Sequence, residues 1–154
     1  YTSSYNIDDT KSASLFIVFK AEANEVNVIA GTADSVLNLC GFPNSTTLRT
    51  WSATSANLYD HTVDDNTAAF KYYSVLMNSN TGAAGTTNAR QNAVDKGTSG
   101  SRVRSASTVM SVGDVFLGTQ GFQGWLCELL FYEENVTGGN LTTVESYLAS
   151  KYGF

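Results

Sequence analysis

Gly121-Phe122-Gln123-Gly124-Trp125-Leu126-Cys127-Glu128-Leu129-Leu130-Phe131-Tyr132 is followed by Glu133-Glu134-Asn135-Val136-Thr137 and a run that closes on Lys151-Tyr152-Gly153-Phe154. From Trp125 to Tyr132 the residues are almost unbroken apolar or aromatic, the pattern of a strand covered on both faces, and Glu128 is the one acid in it. Beyond it the period changes. Leu141, Val144, Tyr147, Leu148 and Tyr152 recur at helical spacing and form one apolar stripe. The chain therefore closes as a buried strand, a short loop and one amphipathic helix laid against a sheet, expected to lie across the sandwich edge.

The helix carries its own boundary signals. Thr137 stands as N-cap, with a side-chain oxygen able to accept from a first-turn N–H. Val136 and Leu141 have the spacing of a hydrophobic staple. Gly138 and Gly139 are poor helix formers and predict a frayed first turn. Gly153 can take the left-handed conformation that stops a helix, which lets Phe154 fold back on Leu148 or Ala149.

Working back from this segment, Ser14–Lys20 and Phe70–Met77 are the other long apolar runs and predict central strands. Shorter strands are expected at Val26–Gly31, Val36–Gly41, Leu48–Ser52 (continued by Asn57–Tyr59), Arg102–Met110 and Val115–Gly118. Asn88–Lys96 reads as an outer hairpin arm, Thr81–Thr87 and Lys96–Ser101 as turns, and Tyr1–Thr10 as a weak candidate for a first strand. Short strands at roughly 8–12-residue spacing, punctuated by Gly, Asn and Ser, make an all-β sandwich of about a dozen strands. At 154 residues the chain is expected to be one domain, residues 1–154, excised or processed from a longer one.

Composition narrows the setting. Only 15% of residues are charged, and the polar surface must come from Ser, Thr and Asn, which suits an extracellular or virion environment. The net charge of −5 and the lack of a Lys/Arg cluster argue against a nucleic-acid partner. No apolar run approaches the ~20 residues of a membrane span, so no membrane insertion is expected.

The terminal segment also resembles a known family. Gly124-x-Leu126-Cys127-Glu128-x-x-x-Tyr132, then Val136-Thr137, then Val144-Glu145-Ser146-Tyr147-Leu148-x-x-Lys151-Tyr152-Gly153-Phe154, is similar to the closing signature of laminin-G-like domains. These belong to the concanavalin A-like lectin/glucanase superfamily, in the type found on phage and bacterial surfaces. Cys127 replaces a small residue of that pattern, and Asn140 stands where an acid often completes a capping box. The resemblance implies a concanavalin A-like jelly-roll sandwich of two antiparallel sheets with one short C-terminal α-helix. It also gives Glu128 to structure, tied to backbone N–H groups or a Tyr hydroxyl.

Chemistry is sparse. The superfamily's glucanases use E-x-D-x-x-E on one strand, because cleavage needs two carboxylates on one face. That run is missing, and Glu133-Glu134 are adjacent, so they point to opposite sides of an extended segment. There is no G-x-S-x-G, and His61 is the single histidine. Asp60, Asp64 and Asp65 crowd one acidic segment with hard oxygen ligands, so they are weak calcium candidates, and no other cofactor is implied. Cys40 and Cys127 either pair or serve as small core residues. The sequons at Asn44, Asn135 and Asn140 occur at the frequency this composition gives by chance.

Three function classes follow. In the first, a non-catalytic module recognises surface glycans through Trp51, Tyr59, Asp60, His61 and Asn66. These lie in one segment with little strand patterning and supply an aromatic face with hydrogen-bonding amide, imidazole and carboxylate groups. The second is a structural decoration or appendage module that packs against neighbouring virion or surface proteins, with homo-oligomerisation left open. The third, a glycoside-active enzyme, is the most distant, since no catalytic residues are found.

Overall fold

The computed structural model describes residues 2–3, 11–22, 27–32, 38–52, 54–80, 83–99, 110–113 and 122–154. They form strands β1 (Thr2–Ser3), β2 (Ala13–Ala21), β3 (Asn27–Thr32), β4 (Asn38–Asn44), β5 (Thr47–Ser52), β6 (Thr54–Thr62), β7 (Lys71–Asn80), β8 (Ala83–Gln91), β9 (Val94–Thr98), β10 (Met110–Val112) and β11 (Gly124–Tyr132), and helix α1 (Gly138–Tyr152). The strands make two antiparallel sheets, ordered β1-β10-β3-β4-β5-β6 and β11-β2-β7-β8-β9. The expected strands at Arg102–Met110 and Val115–Gly118 and the segment Tyr1–Thr10 fall mostly or wholly outside the described residues.

The period of two explains why β2 is apolar throughout. Leu15, Ile17 and Phe19 point between the sheets, with Tyr73, Val75 and Met77 of β7 and with Cys40, Phe42 and Leu48 from the opposite sheet. Phe16 and Val18 point outward and are covered by α1. Phe19 anchors the inner layer, with ring centroids 4.9 Å from Phe42, 5.1 Å from Tyr73 and 5.6 Å from Phe122. A fully buried side chain of this size contributes about 1.5–3 kcal/mol.

The three long strands are neighbours, as their apolar runs predict, since β11 and β7 flank β2. Two details differ from the sequence reading. First, α1 lies on the outer face of the five-stranded sheet, not across the sandwich edge, because Phe16, Val18, Tyr72 and Leu76 give that sheet a second apolar face. Second, β11 is not covered on both faces along its length, and Trp125 is 52% exposed. The pairing of β11 with β2 slips between Leu126 and Glu128, so Cys127 is the extra residue of a bulge. The slip keeps Leu126, Leu129 and Phe131 on the inner face and turns Glu128, Leu130 and Tyr132 outward. Cys127 is exposed there while Cys40 is buried, and no disulfide joins them.

Gly124 precedes the bulge with φ +150°, and a Cβ there would strike the Lys20 carbonyl oxygen, so only glycine lets β11 approach β2. The segment 83–87, read from sequence as a turn, belongs to β8. That strand returns through a two-residue turn, Asn92-Ala93, with positive φ at both positions.

The helix is held by polar brackets on each side of its apolar stripe. Glu145 accepts from Ser74 Oγ (2.9 Å) and Arg90 Nε (2.8 Å), on residues that pair in register across β7 and β8. Glu128 accepts from Tyr147 Oη (2.9 Å) and Lys151 Nζ (3.2 Å). The loop before the helix is pinned by buried Ser14, which donates to the Glu134 carbonyl (2.8 Å) and accepts from Val136 N–H (2.9 Å). Thr137 is the N-cap residue, but its side chain makes no capping bond. Gly153 closes the helix in the left-handed conformation. Phe154 folds back as expected: its N–H donates to the Ala149 carbonyl (3.0 Å), and its ring lies against that of Tyr72 (5.4 Å).

Candidate functional site

The segment that carries the candidate ligand residues is a β-hairpin, not an irregular loop: β5 and β6 pair with Leu48 opposite His61, Arg49 opposite Asp60 and Thr50 opposite Tyr59. That pairing sorts the candidates by face. His61 turns inward and is 1% exposed, with its Nε2 3.3 Å from Thr50 Oγ1 and its ring 4.7 Å from that of half-buried Tyr59. Asp60 turns outward and is bound in a fork by Arg49, Nε to Oδ1 at 2.6 Å and Nη2 to Oδ2 at 2.7 Å. The Arg49 hydrogen bond holds the Asp60 carboxyl below the usual carboxylate range. Asn66 lies beyond the hairpin and is buried. Its backbone bridges Ser45 O and Ala21 N, while its side-chain amide has no hydrogen-bond partner among the described residues. Trp51 pairs in register with Leu58, two residues along β5 from Arg49, and its side chain is outside the described residues.

The hairpin thus brings Asp60 and Arg49 together at the surface and sends His61 and Asn66 inside, away from any ligand on the outer face. The three calcium candidates also diverge. Asp60 is engaged by Arg49, Asp64 by Lys96 Nζ (3.3 Å) and Asp65 by Thr67 Oγ1 (2.7 Å). Among the described residues no three His, Cys, Asp or Glu side chains gather to hold a metal.

Behind the hairpin, the end of the sandwich is closed by polar groups. Gln91 donates to Tyr73 Oη (2.9 Å) and to the Asp64 carbonyl (3.2 Å), and accepts from Asp64 N–H (2.9 Å). Burial pushes the Tyr73 phenol well up, so it stays neutral. Burial lowers the His61 pKa, offset in part by the nearby carbonyls of Lys96 and Gly97 and by Asp60 and Asp95.

The native state therefore binds this proton less readily than the unfolded chain, where imidazole titrates near ~6.5. The resulting stabilisation is present above about pH 6.5 and is lost as pH falls through the lower native value. Urea unfolding from pH 8 to 5 is expected to lose stability more steeply below about pH 6.5 in the wild type than in His61→Asn. Equal slopes in the two proteins would refute this.

Two residues of functional interest escaped the sequence reading. Arg49 becomes the partner of Asp60 only once the register is known, although Leu48-Arg49-Thr50 alternates as a half-buried strand should. The apolar run places Trp125 in a strand covered on both faces. Its indole instead lies open beside Lys20, whose ammonium stands 5.8 Å from the ring centroid.

No family model and no curated protein sequence matches this chain. Solved structures do match in fold. One is the native heptameric SAP-like pentraxin of Limulus polyphemus, with TM-score 0.71 and 15% identity over 94% of this chain and 74% of that one. Another is domain 4 of an extracellular GH43 arabinanase from Geobacillus stearothermophilus in complex with arabinotriose, with TM-score 0.61 and 15% identity over 90% and 68%. A third is the CBM40 of the Ruminococcus gnavus IT-sialidase bound to α2,3-sialyllactose, with TM-score 0.62 and 11% identity over 88% and 83%. At these identities the likeness is one of architecture: the chain has the fold of a jelly-roll sandwich, two antiparallel sheets with one helix.

Proposed function

We propose that this protein is a non-catalytic carbohydrate-recognition module working outside the cell, carried by a bacterial surface protein or a phage particle of the laminin-G-like type. The observation that carries the reading is the shared jelly roll: two of its structural neighbours hold bound sugars, arabinotriose and sialyllactose. The state of the acids supports a non-catalytic role. Glycoside cleavage needs one carboxyl kept protonated beside a second carboxylate. Glu145 and Glu128, the least exposed described acids, are each closed by a cation, Arg90 and Lys151. For Glu128 the hydrogen bonds from Tyr147 and Lys151 outweigh burial and hold its pKa below the usual range.

The ligand surface of this reading is the β5–β6 hairpin. Trp51 supplies a flat apolar face, and Asp60 with Arg49 supplies acceptors and donors for sugar hydroxyls. Tyr59 stands at the margin, and His61 and Asn66 support the hairpin from within. After a glycan array has identified a ligand, calorimetric titration of wild type and Trp51→Ala is expected to show at least a tenfold loss in affinity, about 1.4 kcal/mol. Equal affinities in a variant of unchanged melting temperature would remove Trp51 from the site. Binding to no glycan would favour the structural reading, a decoration module acting through packing against neighbouring proteins.

A further inference from the structure

The outer face of β11 and β2 ends in an open ledge that α1 does not reach. Along that face the helix covers Phe16, Val18 and Leu130, its Tyr147 and Lys151 clasp Glu128, and its Tyr152 Oη donates to the Cys127 carbonyl (3.4 Å). One step further along the strands stand Trp125 and Lys20, opposite each other in register. Glu128 pairs with Val18, two residues before Lys20, so the positions that carry the carboxylate and the indole are about 7 Å apart along β2 by strand rise. The bulge at Cys127 creates this arrangement, since without the slip Trp125 and Glu128 would fall on opposite faces.

The result is a floor and a wall. The floor is an indole 52% exposed to solvent, steadied by the Lys20 ammonium at 5.8 Å from the ring centroid. The wall is a carboxylate held between a tyrosine hydroxyl and an ammonium, 2.7 Å from each other. Trp125 is one of the chain's two tryptophans, and it presents a flat apolar face to solvent beside charged groups that can hydrogen-bond a ligand.

We propose that this ledge is a second ligand site, taking one neutral pyranose ring of a glycan. The sugar's C–H face stacks on Trp125. Its ring hydroxyls donate to the Glu128 carboxylate and accept from Lys20 and Lys151. A neutral sugar is favoured over an acidic one because the protein carries a net charge of −5, which repels anions on approach, and because Glu128 sits in the wall. The inference rests on the carbohydrate-recognition reading and adds a surface on the opposite sheet from the hairpin. One molecule would then engage two sugars of a polymer or two chains of a coat, and gain avidity by linkage.

The two tryptophans allow each surface to be read separately. Trp51→Phe leaves Trp125 as the only indole, and Trp125→Phe leaves Trp51. Each variant is titrated with cellohexaose, xylohexaose, laminarihexaose and mannohexaose, with sialyllactose as the acidic comparison, while indole emission is followed. The ledge predicts a saturable emission change in Trp51→Phe with at least one neutral hexaose. Calorimetric titration, which needs no indole, is expected to show a tenfold or greater affinity loss on adding Trp125→Ala, and a loss in Glu128→Gln once its melting temperature matches. A response confined to Trp125→Phe would overturn the ledge and leave the hairpin reading standing. A response confined to Trp51→Phe would uphold the ledge and remove the hairpin site. A response to sialyllactose alone would overturn the neutral assignment, and silence in both variants would overturn ledge and recognition reading together.

Discussion

Removing Leu148–Phe154 is expected to cost on the order of 5 kcal/mol or more, enough to leave most molecules unfolded at room temperature if the domain has ordinary stability. Leu148 is fully buried, packed with Phe16, Val18, Tyr72 and Leu76 on the outer face of the five-stranded sheet. Losing that side chain alone forfeits about 1.5–3 kcal/mol. The deletion also removes Tyr152 and Phe154, whose ring lies against Tyr72, and Lys151, which binds Glu128. The sheet would then expose Phe16 and Val18, which only an added layer can cover. The remaining helix, Gly138–Tyr147, starts with two glycines and is too short to persist without its packing. Urea unfolding of the truncated protein tests this, with Leu148→Ala as the graded case at about 2–5 kcal/mol. A truncated protein that melts with the wild type would show that the helix is an ornament on a self-sufficient sandwich.

The elements that could be read from the sequence are those whose burial is made of large apolar side chains. Ser14–Lys20 and Phe70–Met77 are apolar because the sheet is covered on both faces there, as Trp125–Tyr132 is from Leu129 onward, and a run such as Leu15-Phe16-Ile17-Val18-Phe19 has no other use. The helix was legible from its stripe and from Gly153. That it packs on a sheet was legible too, but its place on the outer face and not across the edge was not, because an amphipathic stripe demands a partner without naming it.

The strands read only in part, β6 from Asn57–Tyr59 and β8 from Asn88 onward, are polar in sequence. They bury small or hydrogen-bonded residues such as Ala89, Gln91 and His61, and are defined by the partner they pair with. Both candidate surfaces failed to appear for a related reason. Asp60 finds Arg49 across the hairpin, and Trp125 finds Lys20 across β2, so both depend on register. A one-residue bulge at Cys127 decides whether Trp125 and Glu128 share a face, and no local residue pattern announces it.

Glu145→Ala is expected to cost about 3 kcal/mol, the lower part of the range for breaking a buried ion pair, because Arg90 keeps some contact with water. Glu145 is 5% exposed and sits at the centre of the helix–sheet interface, where one carboxylate serves Ser74 and Arg90. Alanine removes the acceptor and leaves a half-buried guanidinium and a buried hydroxyl without it, and that desolvation is most of the expected loss. Glu145→Gln keeps the shape and an acceptor oxygen, so it should cost less, about 1–2 kcal/mol.

The bracket's net worth is a separate question. Replacing both partners, Glu145→Leu with Arg90→Leu, removes the desolvation cost along with the attraction, and such exchanges are often near neutral. A double-mutant cycle in urea at constant pH separates the two effects, with strong coupling expected between the sites. If Glu145→Ala cost less than about 1 kcal/mol, the pair would be no more than a surface salt bridge. The apolar stripe would then seat α1 by itself. If the double leucine variant were stable but its helix docked loosely, by amide exchange in α1, the pair would be serving to fix the helix's position on a sheet face that apolar contacts alone leave free to slide.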